Sequence, residues 1–211
     1  MNDNRSQHFG QYLTVIVMIA PSPRRIVEIG SGFSSAAMLD TDEKFFGGQV
    51  QFTFIEPYPD RLLSLLRNKD VERCEIIKQP VQMVSVDHFD NLCENDFLFI
   101  DSSHVGKICS DVLHNLFTLL PSLKKGVIVH FHDILWPFEY PQRWIDFGRA
   151  WNEGYFMRAF LQYNKSFEIL YFNSYMEFHH SSFLKDNLRL TLKPPSNDLT
   201  PGNTSLWLRV C

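Results

Sequence analysis

The sequence predicts an α/β fold: a doubly wound, Rossmann-like, mostly parallel sheet with helices on both faces. Three observations lead there. Short runs of β-branched and aromatic residues alternate with stretches of helical periodicity. The connections between them are short, as in repeated βαβ units. Glycine or a chemically capable residue ends one run after another, where open α/β sheets bind their ligands.

The elements run in order along the chain. Arg25-Ile26-Val27-Glu28-Ile29 is a β-branched run ending at Gly30, the pattern of a buried parallel strand. Gly30-Ser31-Gly32 is the turn, and Ser34 to Leu39 opens a helix with Ser34 or Ser35 as its cap. Val50 to Ile55 is the second strand, ending at Glu56, and Asp60 to Asn68 carries leucines at helical spacing. Cys74 to Lys78 and Phe97 to Ile100 are the third and fourth strands, the latter ending at Asp101. Val105 to Leu120 reads as a helix and Gly126 to Phe131 as the fifth strand, ending at His132-Asp133. Beyond residue 132, Phe147 to Tyr163 is expected to be helical. Phe167–Phe172 and Ser205–Val210 are expected to be strands, and 174–204 irregular.

No linker or repeat divides the chain, so residues 1–211 are expected to form one domain. Residues 1–23 would be a helical edge, with a helix over 8–20 closed by Pro21. Residues 132–163 and 174–204 would be additions on the acceptor side. The formal net charge is −4 and Lys and Arg form no stripe, which argues against a nucleic-acid partner. The apolar run Tyr12 to Ala20 is too short to span a bilayer. The 4 cysteines, Cys74, Cys93, Cys109 and Cys211, show no C-x-x-C spacing, which fits reduced thiols in a cytoplasmic protein. The 19 phenylalanines, many after residue 130, are compatible with a Phe-rich core and with a homodimer.

The strand ends assemble a candidate site. Gly30 permits a tight turn, and Gly32 leaves room for a ligand against the backbone. A carboxylate at the end of the second strand, Glu56, is placed to grip ribose hydroxyls. Ser35 stands where a dinucleotide fingerprint would have its third glycine.

Val27-Glu28-Ile29-Gly30-Ser31-Gly32 resembles the first motif of class I S-adenosylmethionine-dependent methyltransferases. Three longer stretches resemble the bacterial group that includes macrolide-sugar O-methyltransferases and cephalosporin hydroxylase-like proteins. They are Phe99-Ile100-Asp101-Ser102-Ser103-His104, Val127-Ile128-Val129-His130-Phe131-His132-Asp133-Ile134 and Trp151-Asn152-Glu153-Gly154-Tyr155. The resemblance implies a seven-stranded sheet with the last strand antiparallel. It implies S-adenosyl-L-methionine as cofactor, held by Glu28, Gly30, Ser31, Gly32, Glu56 and Asp101, with adenine near Val81 and Gln82. Glu28 is read either as a direct contact or as a support for the glycine loop. Relatives that need a metal hold Mg²⁺ with residues matching Asp101 and the pair His132-Asp133, so Asp101 and Asp133 are the candidate ligands for Mg²⁺ or another divalent cation.

Methyl transfer to a hydroxyl needs a base or a metal that lowers the hydroxyl pKa. Imidazole is a poor partner for Mg²⁺. Three arrangements therefore stay open for Asp101, His104, His132 and Asp133. Two carboxylates hold a divalent ion, or His104 or His132 is the base, or two histidines and a carboxylate hold iron. His130 reads as a buried strand histidine and His179-His180 as a solvated face. The aromatics of Leu135 to Arg143, with Trp151 and Tyr155, read either as a wall for a sugar or as packing, with Glu139 and Arg143 placed to bond hydroxyls. The expected function is O-methylation of a sugar or other small polyhydroxylated acceptor. A nicotinamide-dependent oxidoreductase, a metal-dependent hydroxylase and a non-catalytic cofactor-binding relative are the alternatives.

Overall fold

The computed structural model describes residues 21–192 and 204–211. The helix expected over 8–20 lies outside them. Seven strands form one sheet: β1 (Arg25–Ile29), β2 (Gln51–Ile55), β3 (Cys74–Ile77), β4 (Phe97–Ile100), β5 (Ile128–Phe131), β6 (Phe167–Phe172) and β7 (Leu206–Val210). Their order is β3-β2-β1-β4-β5-β7-β6. The β1–β2, β1–β4, β2–β3 and β4–β5 pairs are parallel, while β7 runs antiparallel to both β5 and β6. The seven-stranded sheet with one antiparallel strand is as expected.

The central strands are apolar on both faces because helices cover both. Val27, Ile29, Leu98, Ile100, Val129 and Phe131 fill the core on one side. Ile26, Phe52, Phe54, Phe97, Phe99 and Trp207 fill it on the other. A single row crosses the second face in register: Phe54, Glu28, Phe99, His130, Trp207. Two ionisable groups are thus set among aromatic rings.

Helices fill the connections. After β1 comes α1 (Phe33–Thr41), which runs into a π-helical turn over Asp42–Phe46. Gly32 is its N-cap, not Ser34 or Ser35. Ser35 instead lies one turn in, where its Oγ accepts from Gly32 N at 2.9 Å, the reciprocal half of a capping box. Between β2 and β3 two short helices replace the expected one, α2 (Asp60–Leu65) and α3 (Asn68–Arg73). Asp70 breaks the run by accepting from Arg67 N at 3.0 Å, which starts a new helix. A turn of 3₁₀ helix (Val81–Met83) and α4 (Asp87–Asp90) lead to β4.

Three later expectations are corrected. The helix expected from Val105 begins only with α5 (Asp111–His114), which continues through a π-helical stretch to α6 (Leu120–Ser122). Ser110 is its N-cap, accepting from Leu113 N at 3.3 Å. Residues 104–110 form a loop because His104 and Cys109 sit at φ of 60° and 59°. The helix expected over 147–163 is shorter, α8 (Glu153–Leu161), and an unexpected helix, α7 (Gln142–Asp146), precedes it; the two are parted where Gly148 takes a φ of 79°. Residues 173–192 are helical rather than irregular: α9 (Asn173–His179), α10 (Ser181–Asn187) and a 3₁₀ turn (Arg189–Leu192). Their apolar residues gave no signal because Phe178 and Phe183 face outward. Residues 193–203 lie outside the described residues. Among the described residues no helix is long and apolar enough to cross a membrane.

Candidate active site

The sheet positions the site through its last rungs. Four candidate residues stand one position beyond a parallel strand, and the N–H of each closes the ladder with its neighbour. Gly30 N donates to Ile55 O at 3.0 Å, Glu56 N to Ile77 O at 3.0 Å, Asp101 N to Ile29 O at 2.8 Å and His132 N to Ile100 O at 2.8 Å. Their backbones are therefore as fixed as the strands, while the side chains of Glu56, Asp101 and His132 stand at the carboxyl edge.

A cavity of about 310 Å³ opens there, lined by residues that include Gly30, Glu56, Val81, Gln82, Asp101 and Asp111. Gly30 adopts a φ of 83°, and a Cβ on it would lie 1.7 Å from the carbonyl oxygen of Asp101. Only glycine allows β1 to turn away this close to β4. Gly32 is different: its φ of 178° is ordinary extended backbone, and a Cβ would meet only the Arg61 side chain, at 3.3 Å.

Glu56 joins two loops, its carboxylate accepting from Ser31 N at 3.2 Å and from Tyr58 N at 2.9 Å. The Ser31 hydroxyl beside it is buried, with no hydrogen-bond partner among the described residues. Gln82 donates to Cys109 O at 2.9 Å and so ties the loop after β3 to the 104–110 loop.

Glu28 lies behind the glycine turn, fully buried. Ser34 Oγ donates to one carboxyl oxygen and Ser35 Oγ to the other. It does not line the cavity. That geometry is the one for supporting the loop: carboxyl to Ser35, and Ser35 to Gly32 N. Burial among the rings of Phe54 and Phe99 outweighs the serine bonds and pushes the Glu28 pKa up to about 8.

At the other end of the cavity, Asp101 meets a cluster. His104 Nε2 lies 3.4 Å from Asp101 Oδ1 and 4.0 Å from Asp133 Oδ2, and its Nδ1 is 2.8 Å from Glu153 Oε2. Burial opposes a charge on this ring. The carboxylates of Asp101, Glu153 and Asp133 win and raise its pKa to about 10. His104 is therefore a buried cation at neutral pH and an unsuitable base there. His132, with a side chain 40% exposed, turns Nε2 toward Asp133 Oδ1 at 3.5 Å. Its partial burial works against protonation, but Asp133 and Asp101 raise its pKa above the usual value. Burial would raise the Asp101 carboxyl, yet His132 and His104 hold it below the ordinary range. Thr204 Oγ1, just before β7, donates to Asp133 Oδ1 at 2.6 Å and fixes that carboxylate.

The residues expected to hold a metal, Asp101 and Asp133, converge on the imidazole of His104. Among the described residues no group of three or more His, Cys, Asp or Glu is arranged to hold a metal ion, so the donor set as arranged does not fit one. His130 is stacked on Phe99 with ring centroids 3.7 Å apart, and burial lowers its pKa well below the usual value, as befits a core histidine. His179 and His180 are exposed at the end of α9.

A wall of aromatic rings adjoins the cluster. Trp151 lies on His104 with centroids 4.3 Å apart, and Trp144 meets Trp151 edge-on at 4.9 Å. The Arg149 guanidinium sits over both indoles, at 4.6 and 4.7 Å. The Tyr140 hydroxyl accepts from Gly154 N at 2.7 Å, and the Tyr155 hydroxyl donates to Glu139 at 2.9 Å. Arg143 is exposed on α7. Sequence reasoning gave no role to Glu153 or Thr204. Each lies dozens of residues from its partner, and only the fold brings them together.

Comparison with known proteins agrees with this fold. The profile of a family described as a methyltransferase domain matches residues 27–134, from β1 to just past β5. An uncharacterized protein of Archaeoglobus fulgidus is 44% identical over 77 residues, 35% of this chain. The match spans only about a third of that relative, 33% of its length. The O-methyltransferase TomG of Streptomyces achromogenes, solved with SAM, shares the fold. Its TM-score is 0.58 at 13% identity, covering 95% of this chain and 78% of TomG. The plantazolicin methyltransferase BpumL, solved with SAH, aligns with a TM-score of 0.54 at 16% identity, covering 99% of this chain and 86% of BpumL. With a family match over more than half its length, on the expected sheet and around the expected strand ends, the chain belongs to the class I S-adenosylmethionine-dependent methyltransferases.

Proposed function

We propose that the protein transfers a methyl group from S-adenosylmethionine to a hydroxyl of a sugar or other small polyhydroxylated acceptor. One observation carries the reading. The cavity of about 310 Å³ is lined at once by Gly30, Glu56, the loop after β3 and Asp101, and the Asp101 carboxylate lies 3.4 Å from His104 Nε2, where the cluster with Asp133 and His132 begins.

The residues fit the cofactor. The volume lies within the range of small-molecule pockets. Each Glu56 oxygen accepts one backbone N–H and keeps a lone pair for a ribose diol. Pro80 and Val81 offer an apolar surface for a purine. The carboxylates of Glu56 and Asp101 suit a positively charged ligand. When bound, the cofactor supplies a methyl carbon made electrophilic by its sulfonium.

The chain's own residues do the rest. His132 Nε2 faces Asp133, so Nδ1 is the nitrogen left to take the proton of an acceptor hydroxyl. With the cofactor bound, the hydroxyl oxygen would take its methyl group, S-adenosylhomocysteine would be the leaving group, and the proton would pass through His132 to solvent. Tyr140 and Trp151, half-buried beside the cluster with Trp144 fully buried behind them, are the rings placed to meet the apolar face of a sugar ring.

Methyl-labelled S-adenosylmethionine incubated with a panel of sugars, polyols, amines and carboxylic acids tests this. Label should appear in a methyl ether of a polyhydroxylated compound. Label found only on nitrogen or on a carboxylate would overturn it.

A further inference from the structure

Glu153 has no part in the chemistry described above, yet it is among the most enclosed carboxylates of the molecule. It is the first residue of α8 and has 0% exposure. One oxygen meets His104 Nδ1 at 2.8 Å, and the other accepts from Ser102 Oγ at 3.4 Å. A buried carboxylate is costly unless something fixed repays its lost hydration. Here the partner is a ring whose other nitrogen faces Asp101 and Asp133.

The backbone around this pair is bound from both sides. The N–H groups of Asn152 and Glu153 both donate to the carbonyl of His104, at 3.0 and 3.2 Å. The Asn152 amide brackets Gly106, accepting from its N–H at 2.6 Å and donating to its carbonyl at 3.2 Å. His104 itself holds a φ of 60°, which a residue with a side chain adopts only when its surroundings impose it. A Cβ on Gly106 would come within 2.2 Å of the Phe156 ring, so this loop and α8 are matched without slack. Trp151 then covers one face of the imidazole. Rotation of the ring would break the Glu153 bond and turn Nε2 away from both aspartates.

We infer that Glu153 is a positioning residue. Acting through His104, it sets the orientation in which the imidazole spans Asp101 and Asp133 at the reacting end of the cofactor cavity. Its catalytic consequence rests on the methyltransferase reading, but the orientation itself does not. A merely structural role, as an anchor for the start of α8, would be met equally by the isosteric amide.

The test compares wild type, Glu153→Gln and Glu153→Asp, all as the full chain. The first readout is ¹⁵N–¹H NMR of the histidine side chains without any ligand. In wild type the His104 Nδ1–H should give a slowly exchanging, strongly downfield signal, lost in Glu153→Gln and partly recovered in Glu153→Asp. The second readout is kinetic. In Glu153→Gln, kcat should fall by about 10–100-fold, with acceptor KM and S-adenosylhomocysteine affinity little changed and the melting temperature close to wild type. The inference is overturned if Glu153→Gln keeps the downfield signal, or keeps kcat while the signal is lost. If wild type transfers no methyl group but the signal behaves as described, the functional reading fails and the positioning of His104 by Glu153 stands.

Discussion

The α-carbon of Gly30 rests so close to the carbonyl of Asp101 that a single added carbon would stand 1.7 Å from its oxygen. The glycine turn and the end of β4 are therefore one mechanical unit. Gly30→Ala has no room and no favourable backbone, since φ is 83° there. It should destabilise the fold by about 2–4 kcal/mol in urea unfolding. Gly32→Ala meets only a flexible arginine and should change stability by less than about 1 kcal/mol. Equal losses for the two variants would refute this distinction between the glycines.

Glu28 offers a pH test. Its carboxyl is protonated more readily in the fold, at about 8, than at the ordinary 4.5 of an exposed glutamic acid. The native state therefore holds a proton that the unfolded chain releases. The stabilisation is complete below pH 4.5 and disappears as pH rises through 8. Wild type should lose stability relative to Glu28→Gln over that interval, with the difference levelling off above it. A difference that stays constant from about pH 5 to 9 would contradict the assignment.

His132 is the proposed base, so its removal should strike turnover and spare binding. His132→Asn should lower kcat by about 10²–10⁴-fold while S-adenosylhomocysteine affinity holds. In wild type, kcat/KM should rise with pH through a value above the usual 6.5 of histidine, because Asp133 and Asp101 favour the protonated ring. A rate independent of pH from about 5 to 9 would assign the proton to another group.

Metal removal separates this site from one built on a divalent ion. The imidazole of His104 faces both Asp101 and Asp133. Activity after exhaustive chelation should stay within about twofold of the untreated enzyme. A loss restored by Mg²⁺ or Mn²⁺ would show that the aspartates bind metal and that His104 moves aside.

Much of the fold was legible because parallel strands write their ends into the sequence. Val27–Ile29, Phe54–Ile55, Phe97–Ile100 and Ile128–Phe131 are rich in apolar residues, and each run gives way to a glycine, an acid or a histidine. Gly30, Glu56, Asp101 and His132 could be placed from that alone. The 104–110 loop could not be, because it is held open by partners distant in the chain: Asn152, 46 positions from Gly106, and Gln82, 27 positions from Cys109. The break between α7 and α8 was hidden for a similar reason. Arg149 lies between two indoles there, and such a contact leaves no trace in periodicity. Glu153 was in view within the Trp151–Tyr155 motif, but its role depends on a partner 49 residues away.

Titration calorimetry of S-adenosylhomocysteine into wild type and Glu56→Ala reaches the central claim most directly. Wild type should bind one equivalent with a Kd of order 1 μM, near −8 kcal/mol, and Glu56→Ala should bind at least about tenfold more weakly. No binding by the folded wild type, or the same affinity in both proteins, would mean that the crevice between the glycine turn and β2 is not where the adenosyl group sits.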